Sequence, residues 1–487
     1  MAAQPRHAAA SESSASSTPL RDRSPRAVPG PKGSFLVGSG LTVLRDPLRS
    51  FLEATRAYGD VVKFKLGPFD YVLLNSAEGV KHLLIDQAKN YVKSRSYDGL
   101  RLVLGEGLVT SEGDYWRKQR KLSQPAFHKE RLAAFAAMMV SDTRSMLDRW
   151  TREGATEVDM HEEMMRLTYR IVARTLCGVD VDPEAGAART SAHAMGEAIA
   201  TALRFANDYA ESLVRLPLWW PSPAHFRFRR AAKVLDELVL GIIDERRRNP
   251  DGARGDLLEL LMAARYDDGT GMTDRQLRDE VMTIVLAGHE TTATALTWTW
   301  TLLSQHPDVA RKLQAEVDAV LGDRIPTFED VPKLRYVAMV VQESMRLYPP
   351  VWVFERQALA DDVILGYAIP KGTVVAVSPY VLHRNPRYWD NPEGFDPERF
   401  SPETVAQSGD RRPKHAYLPF SVGPRQCIGN SFALMEAQLV VAMTARRFRP
   451  SLVPGHKVEP DPKVTLRPKH PLPMTLAPIG PSRSGAG

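Results

Sequence analysis

The sequence predicts a mostly α-helical domain with small peripheral β-sheets. Between about residues 115 and 322, apolar residues recur at helical spacing, interrupted only by brief turns. Strand-like alternation is short and confined to the flanks, near residues 61–75 and 363–377. Neither an internal repeat nor the regular strand–helix alternation of a parallel α/β protein is present.

The elements follow in order. The first 33 residues hold six serines, four arginines and two acids, with no apolar core for a secretory signal, and read as a disordered tail. A mitochondrial transit segment would share that composition, but residues 1–19 offer only Met and Ala beside one proline-bounded end, so no amphipathic face forms. A cytoplasmic, bacterial-type protein is expected. Residues 34–478 form one domain and 479–487 a second tail. A short amphipathic helix spans Pro47 to Tyr58, and two strands, 61–66 and 71–75, make a hairpin through Gly67-Pro68. Glycine-punctuated sequence then leads to a basic helix near Tyr115. Turns fall at 178–183, 216–223 and 267–271.

Several function classes recede at this stage. No run approaches the roughly 20 apolar residues of a membrane span. The net charge of +6 comes from 64 bases dispersed among 58 acids, with no recognised nucleic-acid motif. Two cysteines, Cys177 and Cys427, exclude a disulfide framework.

One helix is unusually long. Thr273-Asp-Arg-Gln276 fits a capping box, and the helical pattern continues to Gln305 before Pro307. Near its middle lies Ala287-Gly288-His289-Glu290-Thr291-Thr292. Thr291 can bond the Ala287 carbonyl one turn back and bend the helix. Small residues beside that bend leave space, and Glu290-Thr291 offer a proton route; an ordinary buried helix tolerating polar residues reads equally well. His289-Glu290 also begins a zinc-protease pattern, but Ala293 holds the second histidine position, which removes that reading.

The decapeptide from Phe420 to Gly429, Phe-Ser-Val-Gly-Pro-Arg-Gln-Cys-Ile-Gly, carries the most information. Cys427 sits between a Gly/Pro turn and an apolar helical run, where helix-start N–H groups favour thiolate over thiol. Gly423 and Gly429 let backbone pass close to a flat ligand. Arg425 is a fixed cation suited to a carboxylate on that ligand. A buried free cysteine in a capping turn is the plain alternative, but five fixed positions arise by chance on the order of once in ten thousand such chains. Together these are the parts of a haem site with a cysteine axial ligand. The pattern resembles the haem-binding loop of the cytochrome P450 family.

The resemblance extends over roughly residues 29–476. Glu343-Ser-Met-Arg346 and Arg399 of Pro397-Glu-Arg-Phe400 match the family's acid–base clamp, a structural feature. Trp116 and Arg120 match its Trp-x-x-x-Arg, and Arg356 another position that reaches haem propionates. Cys177 has none of the Cys427 context and reads as a packed thiol. The family's fold is a single large haem-enclosing domain, and its activity is that of a monooxygenase. By resemblance the cofactor is haem b, with Cys427 as the metal ligand and Trp116, Arg120, Arg356, Phe420, Gly423, Arg425 and Gly429 around it. Thr291 and Glu290 would deliver protons. O2 would be the oxidant, and electrons would come from a ferredoxin or flavodoxin served by an NAD(P)H reductase.

The implied substrate pocket draws on residues 95–108, the helices beside 216–223, Ala287, 351–354 and the loop at Pro473-Met474. These are largely apolar, so a lipophilic substrate is expected: a fatty acid, terpenoid, steroid or polyketide. Trp219-Trp220 either guides such a substrate or packs two helices together. A haem-thiolate isomerase or peroxygenase, or a gas sensor, is the alternative class; the Glu290-Thr291 pair favours oxygen activation. Arg411, Arg412, Lys414, Arg446, Arg447, Arg449, Arg117, Lys118 and Lys121 suggest a docking patch for an acidic electron donor.

Overall fold

Thr273 begins the longest helix in the way its sequence requires. Its hydroxyl accepts from Gln276 N, and Gln276 Oε1 accepts from Thr273 N at 2.8 Å, closing both halves of the capping box. The helix runs Asp274–Gln305. A computed structural model of the chain describes residues 24–32, 43, 45–67, 69–179, 186–212, 215–249, 255–408 and 412–479.

The helices that build the domain are α1 (Pro47–Tyr58), α2 (Tyr97–Leu104), α3 (Gly113–Ser123), α4 (Lys129–Arg152), α5 (Met160–Cys177), α6 (Gly186–Glu211), α7 (Pro223–Arg248), α8 (Asp274–Gln305), α9 (Arg335–Leu347) and α10 (Asn430–Arg447). The predicted helical class holds, and the chain forms one domain. Helix α8 crosses the largest core: Ala293, Leu296 and Trp298 have no exposed surface. Burying a side chain of the size of Leu296 stabilises by roughly 1.5–3 kcal/mol. Helix α5 lies along α8 because Gly288 admits it. A Cβ there would stand 3.2 Å from Val172 Cγ2, so this glycine serves helix packing.

The peripheral sheets are small, as expected. Strands β1 (Val61–Leu66) and β2 (Phe69–Leu74) form the predicted antiparallel hairpin, although Pro68 lies outside the described residues. With β3 (Tyr91–Lys93), β5 (Phe354–Ala358) and β8 (Val374–Val377) they make one sheet in the order β1-β2-β8-β5-β3. Strands β6 (Asp362–Ile364) and β7 (Tyr367–Ile369) pair separately. The sequence did not signal β4 (Glu157–Asp159), β9 (Phe448–Leu452), β10 (Pro460–Pro462), β11 (Leu466–Pro468) and β12 (Pro473–Pro478). Most are three residues long or carry prolines, so neither alternation nor β-propensity marks them. Met474, expected near the substrate, is instead fully buried between β4 and β9.

The predicted N-terminal tail is too long. Within it, residues 24–32 are packed on the domain: Arg26 N donates to Gly366 O at 2.9 Å, and Lys63 N donates to Pro29 O at 2.7 Å. Residues 1–23 and 480–487 lie outside the described residues.

The predicted acid–base clamp is formed. Arg346 and Glu343 have no exposed surface and pair at 2.6 Å, and Arg399 Nε reaches Glu343 at 3.3 Å. Trp219-Trp220 does not pack helices together. Helices α6 and α7 meet through Phe205 and Phe228, stacked at 4.4 Å, while both tryptophans stay outside.

Candidate active site

The Cys427 loop is closed by its own backbone. Cys427 N donates to Phe420 O at 3.0 Å, and Gln426 N donates to Gly423 O at 3.1 Å. Gly423 holds φ at 75°, and a Cβ on it would stand 2.3 Å from Leu84 O. The turn and the contact with Leu84 each require a glycine here. Gly429 donates its N–H to the cysteine sulfur. The Cys427 side chain has accessible surface, yet it lies deep enough for burial to dominate its ionisation. That surface belongs to internal space. Burial pushes the thiol up, while the Gly429 N–H and the Arg120 charge pull it down. The helix-start donors favour thiolate as predicted, but desolvation outweighs them in the protein alone.

Arg120 comes from α3, where its guanidinium donates to Gln426 O at 2.9 Å. On the same helix Trp116 presents its ring to Arg425, whose guanidinium carbon lies 3.9 Å from the ring centroid. Arg425 also pairs with Glu112 and donates to Ser111 O at 2.9 Å. Strand pairing brings a further cation that the sequence reading missed. In the β3–β5 register Lys93 stands opposite Arg356. Like charges directly opposite destabilise a sheet. Burial, Arg356 and Arg425 together hold the Lys93 ammonium well below its usual range. Burial likewise pulls Arg425 down to about 10 despite Glu112. Lys93, Arg356 and Arg425 thus crowd a site where Glu112 is the acid that acts on both Lys93 and Arg425, while Arg356 donates to the Glu355 backbone carbonyl at 2.8 Å. The unbalanced positive charge suits an anionic ligand, and a dicarboxylate would neutralise it.

Helix α8 carries a second unusual surface. From Leu277 to Leu303 every side chain is buried except Arg278, Ala287, Gly288 and Thr291. Positions 287, 288 and 291 share one helical face in mid-helix. On a helix otherwise buried, that strip leaves Ala287 and Thr291 open. Thr291 Oγ1 donates to Ala287 O at 2.6 Å, the bond its sequence predicts. Glu290 turns the other way. Its Oε1 accepts from Thr465 Oγ1 at 2.7 Å, and burial raises its pKa against the pull of that bond and of Arg467. It borders a second cavity of about 1630 Å3, walled also by His161, His289, Lys463 and Arg467. His289 is pushed down to about 4 by burial and remains neutral at physiological pH.

The predicted docking patch is thinner than its residue count. Arg117, Lys121, Arg446 and Arg447 pair with Asp114, Asp267, Asp323 and Asp148. Arg412 lies over the Trp389 and Phe400 rings, and Arg411 falls outside the described residues. Lys118, Lys414 and Arg449 remain exposed without an ion pair among the described residues.

Glu280, one side of the loop after α2, gives a pH prediction. It is 1% exposed, its Oε2 accepts from Leu108 N at 3.2 Å, and its Oε1 has no partner among the described residues. Burial, helped by the Asp279 charge, raises it to about 8. Its folded pKa lies above its unfolded value, so its contribution to stability is complete below the ordinary carboxylate pKa. That contribution is lost progressively as pH rises to about 8. The loss amounts to a few kcal/mol, on the order of 1.4 per pKa unit. Glu280→Gln keeps an acceptor for Leu108 and should flatten this slope, matching wild type near pH 5 and exceeding it at pH 8.5. Urea midpoints across that range decide it; parallel curves for the two proteins would remove Glu280 as the cause.

Comparison with known proteins agrees with these features. The family model described as Cytochrome P450 matches residues 28–475. Cyclooctatin synthase of Streptomyces melanosporofaciens is 39% identical over 437 residues, spanning 90% of this chain and 92% of its own. Cyclooctat-9-en-7-ol 5-monooxygenase of the same organism is 37% identical over 452 residues, spanning 90% and 94%. Among solved structures, the retinoic acid-bound cyanobacterial CYP120A1 superposes with a TM-score of 0.81 at 26% identity, covering 94% of this chain and 100% of that one.

Proposed function

The chain belongs to the cytochrome P450 family, and on that premise we propose that Cys427 holds its haem iron and that its substrate is a terpenoid. The enzyme is a haem-thiolate monooxygenase using O2, a redox partner and a lipophilic substrate, with haem b as cofactor. The observation that carries the site assignment is the pairing of two interior exposures: the Cys427 sulfur, and the Ala287–Gly288–Thr291 face of an otherwise buried helix.

The residues fit the group. Lys93, Arg356 and Arg425 form a crowded cationic edge suited to two propionates, with Trp116 flanking and Arg120 near the sulfur. Phe420, Gly423 and Gly429 fix the loop that presents Cys427. When bound, the haem supplies the activation of O2, placing one atom in the substrate and releasing the other as water for two electrons and two protons.

Delivering those protons is work for this chain's side chains. Thr291 Oγ1 stands on the open strip of α8 with its proton held by Ala287 O, and a rotation of the hydroxyl would free it. Glu290, its pKa raised by burial, retains a proton closer to neutrality than a free carboxyl does, and it faces the charged second cavity from which it would be recharged. Thr291→Ala should leave substrate affinity near wild type while product formed per NAD(P)H falls about tenfold or more and peroxide rises. Thr291→Ser should restore coupling. An alanine variant that stays fully coupled would exclude Thr291 from the proton path.

Among lipophilic classes the terpenoid reading is supported by the relatives: one is named for oxidation of cyclooctat-9-en-7-ol, and the solved neighbour carries retinoic acid, an isoprenoid. Binding spectra against matched panels of terpenoids, fatty acids, steroids and polyketides test it. Tightest binding by another class would overturn it. We assign the electrons to a ferredoxin or flavodoxin with its NAD(P)H reductase, and the reaction to the cytoplasm where NAD(P)H is made. Lys118, Lys414 and Arg449 are the cations left to meet such a donor; reduction rates indifferent to salt would remove them from docking.

A further inference from the structure

We propose that Thr465, in the turn of the β10–β11 hairpin, is a positioning residue that holds the Glu290 carboxyl away from Thr291 and so sets the pH up to which Glu290 serves as proton donor. This role rests on Glu290 and Thr291 forming the proton path. The two are neighbours in sequence but lie about 100° apart around α8. Thr291 shares its face with Ala287 and Gly288, whereas Glu290 Oε1 accepts from Thr465 Oγ1 at 2.7 Å. Both side chains of that bond are buried, Glu290 at 9% exposed and Thr465 at 3%. To turn toward Thr291, Glu290 has to leave Thr465.

The hairpin does not need this hydroxyl to stay on α8. Trp298 Nε1, about two turns further along the same helix, donates to Leu466 O at 2.6 Å. Trp352 Nε1 donates to Lys463 O at 2.8 Å, and Leu466 N donates to Pro350 O at 2.9 Å. The chain is thus anchored on both sides of Thr465, and the hydroxyl serves the carboxyl. A hydroxyl that donates to a carboxylate favours its charged form. Burial raises the Glu290 pKa, and the Thr465 bond and the Arg467 charge oppose that rise. Of the groups that share its cavity, α5 brings His161, Glu162 and Arg166, α6 brings Arg204 and Asp208, and the hairpin brings Lys463 and Arg467. Glu162 and Arg166 pair with each other, burial holds His161 below its ordinary range, and His289 beside Glu290 on α8 is likewise lowered. Arg467 is the charge that acts on Glu290, and it stays when the hydroxyl is removed. Loss of the hydroxyl therefore raises the carboxyl further. A donor must carry its proton, so coupling of reductant to product should persist to higher pH.

The test measures product formed per NAD(P)H against pH. It uses the haem-loaded enzyme, a ferredoxin with its reductase, and the terpenoid that binds tightest in the spectral panel. Thr465→Val keeps the side-chain shape without the donor. The pH at which coupling falls should rise by about one unit, and Thr465→Ser should return it to the wild-type position. Infrared spectra of the same proteins read the group without turnover: the carboxyl C=O band that Glu290→Gln removes should persist to higher pH in Thr465→Val. A Thr465→Val profile that superimposes on wild type would overturn the proposal. So would coupling lowered equally at every pH, which is the mark of a packing defect. Failure of the proton path itself is a separate result, because Glu290→Gln would then couple as wild type does across the whole range.

Discussion

Replacing Cys427 by serine should abolish the red-shifted Soret band of the reduced, carbon monoxide-bound protein, and replacing Cys177 should leave it intact. The band reports thiolate bonded to haem iron, and a serine hydroxyl gives neither the sulfur nor its electron donation. The loop should survive the change. Its closure rests on backbone bonds, Cys427 N to Phe420 O and Gln426 N to Gly423 O, which serine retains. The Gly429 N–H that meets the sulfur would meet the hydroxyl instead. Loss of the band with native far-UV circular dichroism is therefore a statement about ligation and not about folding. Cys177 closes α5 at its C-terminus, followed by Gly178 in the left-handed conformation, a helix stop. A band that survives in Cys427→Ser, or vanishes in Cys177→Ser, would end the assignment.

Some of this site could be read from the chain and some could not, for identifiable reasons. The decapeptide around Cys427 was legible because its fixed positions are adjacent in sequence and each answers a local demand. The same holds for α8: a capping box, an unbroken apolar pattern and a terminating proline fix its ends, and the Thr291–Ala287 bond is one turn long. Lys93 was not legible. Its importance comes from the β3–β5 pairing, which sets it against Arg356, 263 positions later. Three-residue strands have no periodicity from which such a pairing could be foreseen. Arg425 was read as a free cation for the ligand, whereas it is shared between Glu112, the Ser111 carbonyl and the Trp116 ring. Glu112 belongs to the helix start of α3, and nothing in its neighbours announces that a distant loop will use it.

Some residues singled out for their type have local partners of their own. Gly423 was read as clearance for a ligand, and its φ and the Leu84 carbonyl also demand glycine there. The basic residues around the Cys427 loop looked like a docking field, but four are held by local acids. For Gly423, Lys121, Arg446 and Arg447 the residue type was informative and its partner was not, because the partner lies on another element; only Arg117 is held within its own helix.

The second large effect should come from Arg346, far from any reacting atom. Its guanidinium is fully buried, paired with Glu343 at 2.6 and 2.8 Å, and donates to His383 O at 2.8 Å, Pro392 O at 2.6 Å and Gly394 O at 2.8 Å. Five donors find five acceptors, and the planar fork is what lets one side chain hold a helix and three loop carbonyls together. Removing one partner of a buried ion pair costs about 3–5 kcal/mol, and each carbonyl left without a donor adds about 1–3. A domain with roughly 5–15 kcal/mol of total stability would be close to unfolded. Arg346→Ala should therefore give little haem-loaded protein at 37 °C, and Arg346→Lys should recover only part, because an ammonium has three donors and no fork. Glu343→Leu combined with Arg346→Met should be more stable than Arg346→Ala, since no carboxylate is left buried without Arg346, although Arg399 loses its carboxylate partner and the three carbonyls remain unpaired. Urea midpoints with the yield of protein showing the thiolate carbon monoxide band measure all three. An Arg346→Ala protein within about 1 kcal/mol of wild type would show that the clamp does not hold the loops that carry Arg399 and lead to Cys427.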